Sequence, residues 1–190
     1  AATLGIRAIK KIVLIMYKNI EDLVVQLSKD PFNPELNFKC AVEYEKLNQT
    51  ASAVSFYLRC AEYGYETHKL LTYNSLLKIS RCFEGQTDRQ YNVSNYIYHA
   101  LAVLPERPEA YFAMSRFFEL SGNWQECYTW ACLGLTKEEI EPLPAPVDYQ
   151  GKYCLIFEKA VSAWWTGKAE DSRNMFIDLL DNYAMLPEYI

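Results

Sequence analysis

The sequence predicts an all-α protein, a stack of antiparallel helix pairs, on three observations. The first is the stretch from Arg107 to Leu135, which reads as helix, turn and helix. Tyr111, Met114, Ser115 and Phe118 share one face at spacings of three and four, Gly122 stops that helix, and Cys127, Ala131 and Gly134 line the inner face of the next. The second is recurrence. Cys40, Ala41 and Tyr44 repeat the first set and Ala53, Tyr57 and Cys60 follow at matching offsets, then Leu76, Ile79, Ser80 and Phe83 are followed by Val93, Ile97 and Ala100. One such pair buries only its inner faces, so neighbouring copies must cover the rest. The third is composition: 51% of residues are apolar and 15% aromatic, and strict two-residue alternation is rare, which favours helix over sheet and excludes disorder.

Residues 1–32 are expected to form N-terminal capping helices. Arg7, Lys10, Lys11 and Lys18 accompany Leu4, Ile6, Ile9, Val13 and Met16 at roughly helical spacing, as a lid on the first repeat or, alternatively, a cationic membrane-surface helix. Asn19, with Asp22 three residues on, is placed to cap a second helix that runs to about Ser28 and stops at Asp30-Pro31. The first repeat, about 33–64, opens on Asn33-Pro34-Glu35, turns at Asn48-Gln49 and ends at Gly64. The second, about 67–105, has an enlarged turn from Gly85 to Gln90 and closes on Pro105. The third, about 107–135, places Pro108 at a helix start and opens its second helix with Asn123 and Glu126, a capping-box pair. Residues 136–148 hold Pro142, Pro144 and Pro146 behind Glu138-Glu139-Ile140-Glu141, as a linker or extended loop. A divergent fourth unit, about 149–185, has helices from Tyr153 and Ala169 around a turn at Gly167-Lys168.

This pattern resembles the tetratricopeptide repeat (TPR), whose signature is Trp-x2-Leu-Gly-x2-Tyr, Ala-x3-Phe and Pro over 34 residues. Tyr111 stands for the Trp, Met114-Ser115 for Leu-Gly, Phe118 for the Tyr, and Cys127 and Ala131 for the Ala and Phe. Tyr44 to Phe83 spans 39 residues and Phe83 to Phe118 spans 35, close to the family period with small loop insertions. The resemblance implies an α-α superhelix, a right-handed solenoid with a concave groove lined by the first helix of each pair. A weaker resemblance, carried by Arg107-Pro108-Glu109-Ala110-Tyr111-Phe112 and the Tyr-rich helices, is to TPR segments associated with family-2-type glycosyltransferases. It implies no catalytic residue in this chain, because the transferase's carboxylate–metal motif is absent.

A formal charge of −5 speaks against nucleic acid as a partner. The longest unbroken aliphatic run, Ile12 to Met16, is far short of the ~18 residues of a membrane span. Six cysteines without a C-x-x-C read as buried thiols of a cytoplasmic protein, and no phosphate loop, nucleophile elbow or paired-histidine motif occurs. No catalytic residue, metal or cofactor is therefore expected.

Counting turns from the core positions makes Phe38, Val42, Leu77, Arg81, Phe112, Arg116, Phe157 and Val161 the groove lining, with Asn74, Lys78 and Glu119 near its edge. That is an aromatic and aliphatic floor with two arginines on adjacent repeats, suited to an extended protein or peptide partner carrying an acidic group, because guanidinium takes a carboxylate bidentately. The opposing reading pairs those arginines with Glu45, Glu84 and Glu119. Chaperone C-terminal tails are not expected to bind, since Phe38, Leu77 and Phe112 stand where the receptors for them carry Lys and Asn. Trp164 and Trp165 point about 100° apart on a helix. One is expected in the core and one, at the array's end, as a partner contact. The leading expectation is a non-catalytic interaction scaffold. A segment serving a sugar-modifying enzyme and a membrane-surface adaptor through residues 1–19 are the alternatives, and association with a second copy stays open.

Overall fold

The computed structural model describes residues 17–138 and 141–184, so most of the cationic N-terminal stretch lies outside the described residues. Helix α1 covers residues 17–27. Four helix pairs follow: α2 (Pro34–Lys46) with α3 (Thr50–Gly64), α4 (Lys69–Glu84) with α5 (Gln90–Val103), α6 (Glu109–Leu120) with α7 (Trp124–Gly134), and α8 (Lys152–Trp165) with α9 (Ala169–Asn182). Among the described residues there is no strand. Each helix packs chiefly against its sequence neighbour, and α6 also meets α8, as in an array stacked in chain order.

Three of the four pairs share one turn. Asn48, Gly122 and Gly167 each stand two residues past a first helix with positive φ, at 56°, 70° and 81°. The following N–H groups of Gln49, Asn123 and Lys168 donate to the carbonyls of Tyr44, Phe118 and Ala163, each at 2.9 Å. This is the Schellman arrangement, which satisfies the orphan carbonyls of a helix end and reverses the chain. Ala163 thus occupies the register of Tyr44 and Phe118, which aligns the divergent last pair with the others. The second pair instead uses a 3-10 turn at Thr87–Arg89, where the sequence carries extra residues.

The size pattern becomes a core. Cys40, Ala41, Ala53, Tyr57, Cys60, Ile79, Ile97, Ala100, Met114, Cys127 and Ala131 are all buried. Hydroxyls also tie two of the pairs together: Ser115 of α6 donates to the Cys127 carbonyl of α7 at 2.9 Å, and Ser172 of α9 donates to the Ala160 carbonyl of α8 at 2.7 Å. Gly134 lets α7 approach its neighbours. A Cβ there would lie 2.7 Å from a Leu155 methyl and 2.9 Å from the Tyr111 Cβ. Gly134→Ala is therefore expected to cost about 1–3 kcal/mol through overpacking, despite alanine's better helix propensity, as chemical denaturation would show.

Some local expectations change. Asn19 lies inside α1, so it caps nothing, because the helix is already under way at residue 17. Asn123 does accept the Glu126 N–H at 3.4 Å, but its own N–H is spent on Phe118, leaving no reciprocal arm of a capping box. Asn33 is the fuller cap, accepting from Leu36 at 3.0 Å ahead of Pro34.

Candidate functional site

The first helices α2, α4 and α6 present one face to the concave side of the array, and on α4 and α6 that face is covered. The segment between α7 and α8 does not run outside the molecule. It folds back as a non-helical strap, with bends at Pro144, Ala145 and Asp148, in which Leu143, Ala145, Val147 and Tyr149 are shielded while Pro144, Pro146 and Asp148 face solvent. The prolines dictate this shape. Each disfavours helical geometry at the residue before it, so Pro142, Pro144 and Pro146 keep the segment from continuing as helix.

Four fastenings hold the strap. At its start the Arg107 guanidinium donates to the Glu141 carbonyl at 2.9 Å. At its centre the Ala145 N–H donates to the Asn74 Oδ1 at 2.8 Å, with both residues buried. Pro144 and Pro146 have no N–H, so Ala145 offers the lone backbone donor of that stretch, and Asn74 keeps it from being buried unpaired. Farther along, Arg81 Nε lies 3.1 Å from an Asp148 carboxylate oxygen while the same guanidinium also pairs with Glu84. Tyr149 closes the strap against Phe112, with ring centroids 5.7 Å apart.

Arg107 is itself part of a buried network. It meets the Glu109 carboxylate at 2.6 and 3.2 Å, the Tyr73 hydroxyl donates to Glu109 at 3.2 Å, and the Ala110 N–H donates to that hydroxyl at 2.9 Å. A second buried acid, Glu158 of α8, sits beside Cys127, whose thiol is 3.8 Å from its carboxylate, and near Arg116 and Glu119. Burial, and then Glu119, raise the Glu158 carboxyl to about 8 against the opposing Arg116 and Cys127 hydrogen bond.

The sequence-derived lining residues fall in three places. Leu77, Arg81, Phe112 and Arg116 come together beneath the strap, around a remaining space of only about 140 Å³. Phe38 and Val42 border a larger hollow of about 900 Å³ at the groove's N-terminal end, between α1, α2 and the start of α4. Phe157 and Trp164 belong to neither. Phe157 packs edge-on against Phe176 of α9, and Trp164 borders a separate hollow on the outer face of α9.

The exposed floor expected from Phe38, Leu77 and Phe112 is corrected: all three are buried, Phe112 at 1% exposure, under neighbouring helices and the strap. Asn74, expected at the groove's edge, is buried beneath the strap. Arg81 follows the opposing reading, pairing with Glu84, and it also pairs with Asp148 of the strap, whereas Glu45 is taken by Lys78 at 2.9 Å. The expected division of the tryptophans is also corrected. Trp164 and Trp165 are 58% and 61% exposed, because the small Ala160 and Ala163 fill the interior of the last pair. Trp165 stacks on Trp124 at 5.3 Å instead.

Sequence reasoning missed the strap, read as a linker, and the two buried acids. The available signal for the strap was its two-residue alternation, Leu143-Pro-Ala145-Pro-Val147-Asp-Tyr149. All six cysteines carry free thiols, with Cys40, Cys60, Cys127 and Cys154 buried. Burial raises the Cys40 and Cys60 thiols to about 11 and that of Cys127 to about 12, which keeps them protonated and unreactive near neutral pH. Among the described residues no group of three or more His, Cys, Asp or Glu could hold a metal, and no helix is long and apolar enough to cross a membrane.

No family model matches the chain, and no curated protein matches it in sequence. Solved structures do match its fold. The crystal structure of MamA is similar at 12% identity and a TM-score of 0.66, covering 85% of this chain and 85% of MamA. PilW, described as a widely conserved type IV pilus biogenesis factor, is similar at 17% identity and a TM-score of 0.67, covering 96% of this chain and 77% of PilW. YrrB, described as a TPR protein with an unusual peptide-binding site, is similar at 11% identity and a TM-score of 0.62, covering 92% of this chain and 81% of YrrB. None of these three descriptions mentions a glycosyltransferase. With the shared turns, the size-patterned core and these structures together, the chain has the all-α, superhelical helix-pair fold of TPR proteins.

Proposed function

We propose that the chain is a non-catalytic scaffold that holds an extended segment of a partner protein along its concave face. One observation carries the reading: this face already holds a non-helical backbone segment, with a buried carboxamide (Asn74) for a backbone N–H, an arginine (Arg81) for a carboxylate and an aromatic (Phe112) for a ring. These are the elements by which an extended peptide is fixed in register, through backbone bonds for affinity and alternate side chains for specificity. The likeness to YrrB, described as having a peptide-binding site, supports the same use of the fold.

The test is affinity capture from the native host with wild type and with the double charge reversal Arg81→Glu, Arg116→Glu. Helicity is expected to be unchanged and the captured partner to fall about tenfold or more, the loss of one well-placed charge-assisted pair. Equal capture by the double variant would remove the concave face from consideration.

A further inference from the structure

The strap makes contacts that a bound peptide would make, yet two of them are incomplete. The Asn74 carboxamide accepts from Ala145, while its Nδ2 is buried without any hydrogen-bond partner. A side-chain amide can hold a backbone by accepting an N–H and donating to a C=O, and here it makes one of the two bonds. Asp148 likewise shares Arg81 with Glu84 and is itself substantially exposed. A ligand supplying a carbonyl to Asn74 and a better-placed acid to Arg81 would satisfy groups that the strap leaves short.

We propose that residues 143–149 are an internal stand-in for the partner, and that the partner is an extended segment of another protein ordered as aliphatic, Pro, small, Pro, aliphatic, acid, aromatic. This rests on the concave-face reading above and names its ligand. Each position has a physical basis. The small residue lies over Asn74, where Ala145 is almost fully buried, so a larger side chain would have to displace its neighbours. The flanking prolines leave that residue's N–H as the one donor to be matched, and they restrict the segment's backbone before it binds, which lowers the entropy lost on docking. The acid meets Arg81 and the ring meets Phe112. Because the strap is tethered at both ends, by α7 and α8, it competes at high effective concentration and reduces the apparent affinity for any partner by the fraction of molecules with the groove open.

The experiment uses a fluorescent, end-blocked peptide of residues 141–150 and the full chain in two forms. One is wild type, and the other has residues 142–149 replaced by Gly and Ser at equal length. By fluorescence anisotropy the replaced form should bind the peptide, and wild type should bind about tenfold more weakly or worse. A peptide carrying Asp148→Lys should lose about tenfold against the replaced form and regain it when that form also carries Arg81→Glu. If the Gly-Ser form loses helicity, the full chain with Val147→Ser and Asp148→Lys serves as the opened form instead.

A helical opened form that ignores the peptide, or wild type that binds it as tightly as the opened form, overturns the proposal. So does a stable dimer by light scattering in which each copy's strap fills the other's groove, since the occupant would then be a second copy. If the peptide fails while the Arg81 and Arg116 reversal still strips captured protein, the stand-in is wrong and the scaffold reading stands. If both fail, the concave face is not the binding surface.

Discussion

Replacing Arg107 with methionine is expected to lower stability by about 3–5 kcal/mol, the cost of leaving a buried charge without its partner. Arg107 is 2% exposed and Glu109 is 7% exposed, so water cannot take over the carboxylate once the guanidinium is gone. The methionine would keep much of the packing over the Tyr73 ring, which now lies 5.8 Å from the guanidinium carbon. The loss would therefore report the charge and its hydrogen bonds more than the volume. Three structures depend on this one side chain: the Glu109 carboxylate, the Tyr73 hydroxyl that bridges α4 to the start of α6, and the Glu141 carbonyl at the head of the strap.

A companion variant separates these roles. Glu109→Gln paired with Arg107→Met removes both charges, and it should recover most of the loss while leaving the strap unfastened at Glu141. Urea denaturation of the two single variants and the double variant would give the coupling directly. If Arg107→Met proves nearly neutral, the network is wetter than its burial indicates. The prediction would then fail on its central assumption.

The packing register was legible in the sequence because it is imposed locally. Close helix crossings demand small residues at Ala53, Ala100, Ala131 and Gly134 and large ones beside them, and a helical period carries such a demand over long distances. The same period puts Phe38, Leu77 and Phe112 on one face of their helices. It could not say whether that face is open, because what covers it arrives from residues 143–149, about 70 positions from Asn74, and no local rule specifies where a proline-rich segment docks. Glu109 and Glu158 were illegible for a related reason. A carboxylate on a helix is ordinarily solvated, and its burial depends on partners brought from other helices, Tyr73 of α4 in one case and Cys127 of α7 in the other. Trp164 and Trp165 exposed the limit of the repeat template itself: at the last pair the interior is filled by Ala160 and Ala163, and both indoles are left largely exposed.

Glu158 supplies the pH dependence of the fold. Its carboxyl is raised from the ordinary 4.5 to about 8, chiefly by burial and then by Glu119 on α6, with Arg116 and Cys127 opposing. The folded state therefore holds a proton that the unfolded chain releases near 4.5. A group raised in this way contributes its full stabilisation below the unfolded value and loses it as pH climbs through the folded value. Wild type should accordingly lose stability between about pH 4.5 and 8, by an amount on the order of a few kcal/mol from this group alone. Glu158→Gln keeps the shape and a hydrogen-bonding group without the ionisation. It should be little different from wild type near pH 5, clearly more stable at pH 8.5, and flatter in between. Thermal denaturation of both proteins across that range reads the difference. Parallel curves would mean that Glu158 stays ionised in the folded state, with Arg116 rather than burial dominating its environment. In that case Arg116→Gln should raise the carboxyl and restore the slope that wild type lacked.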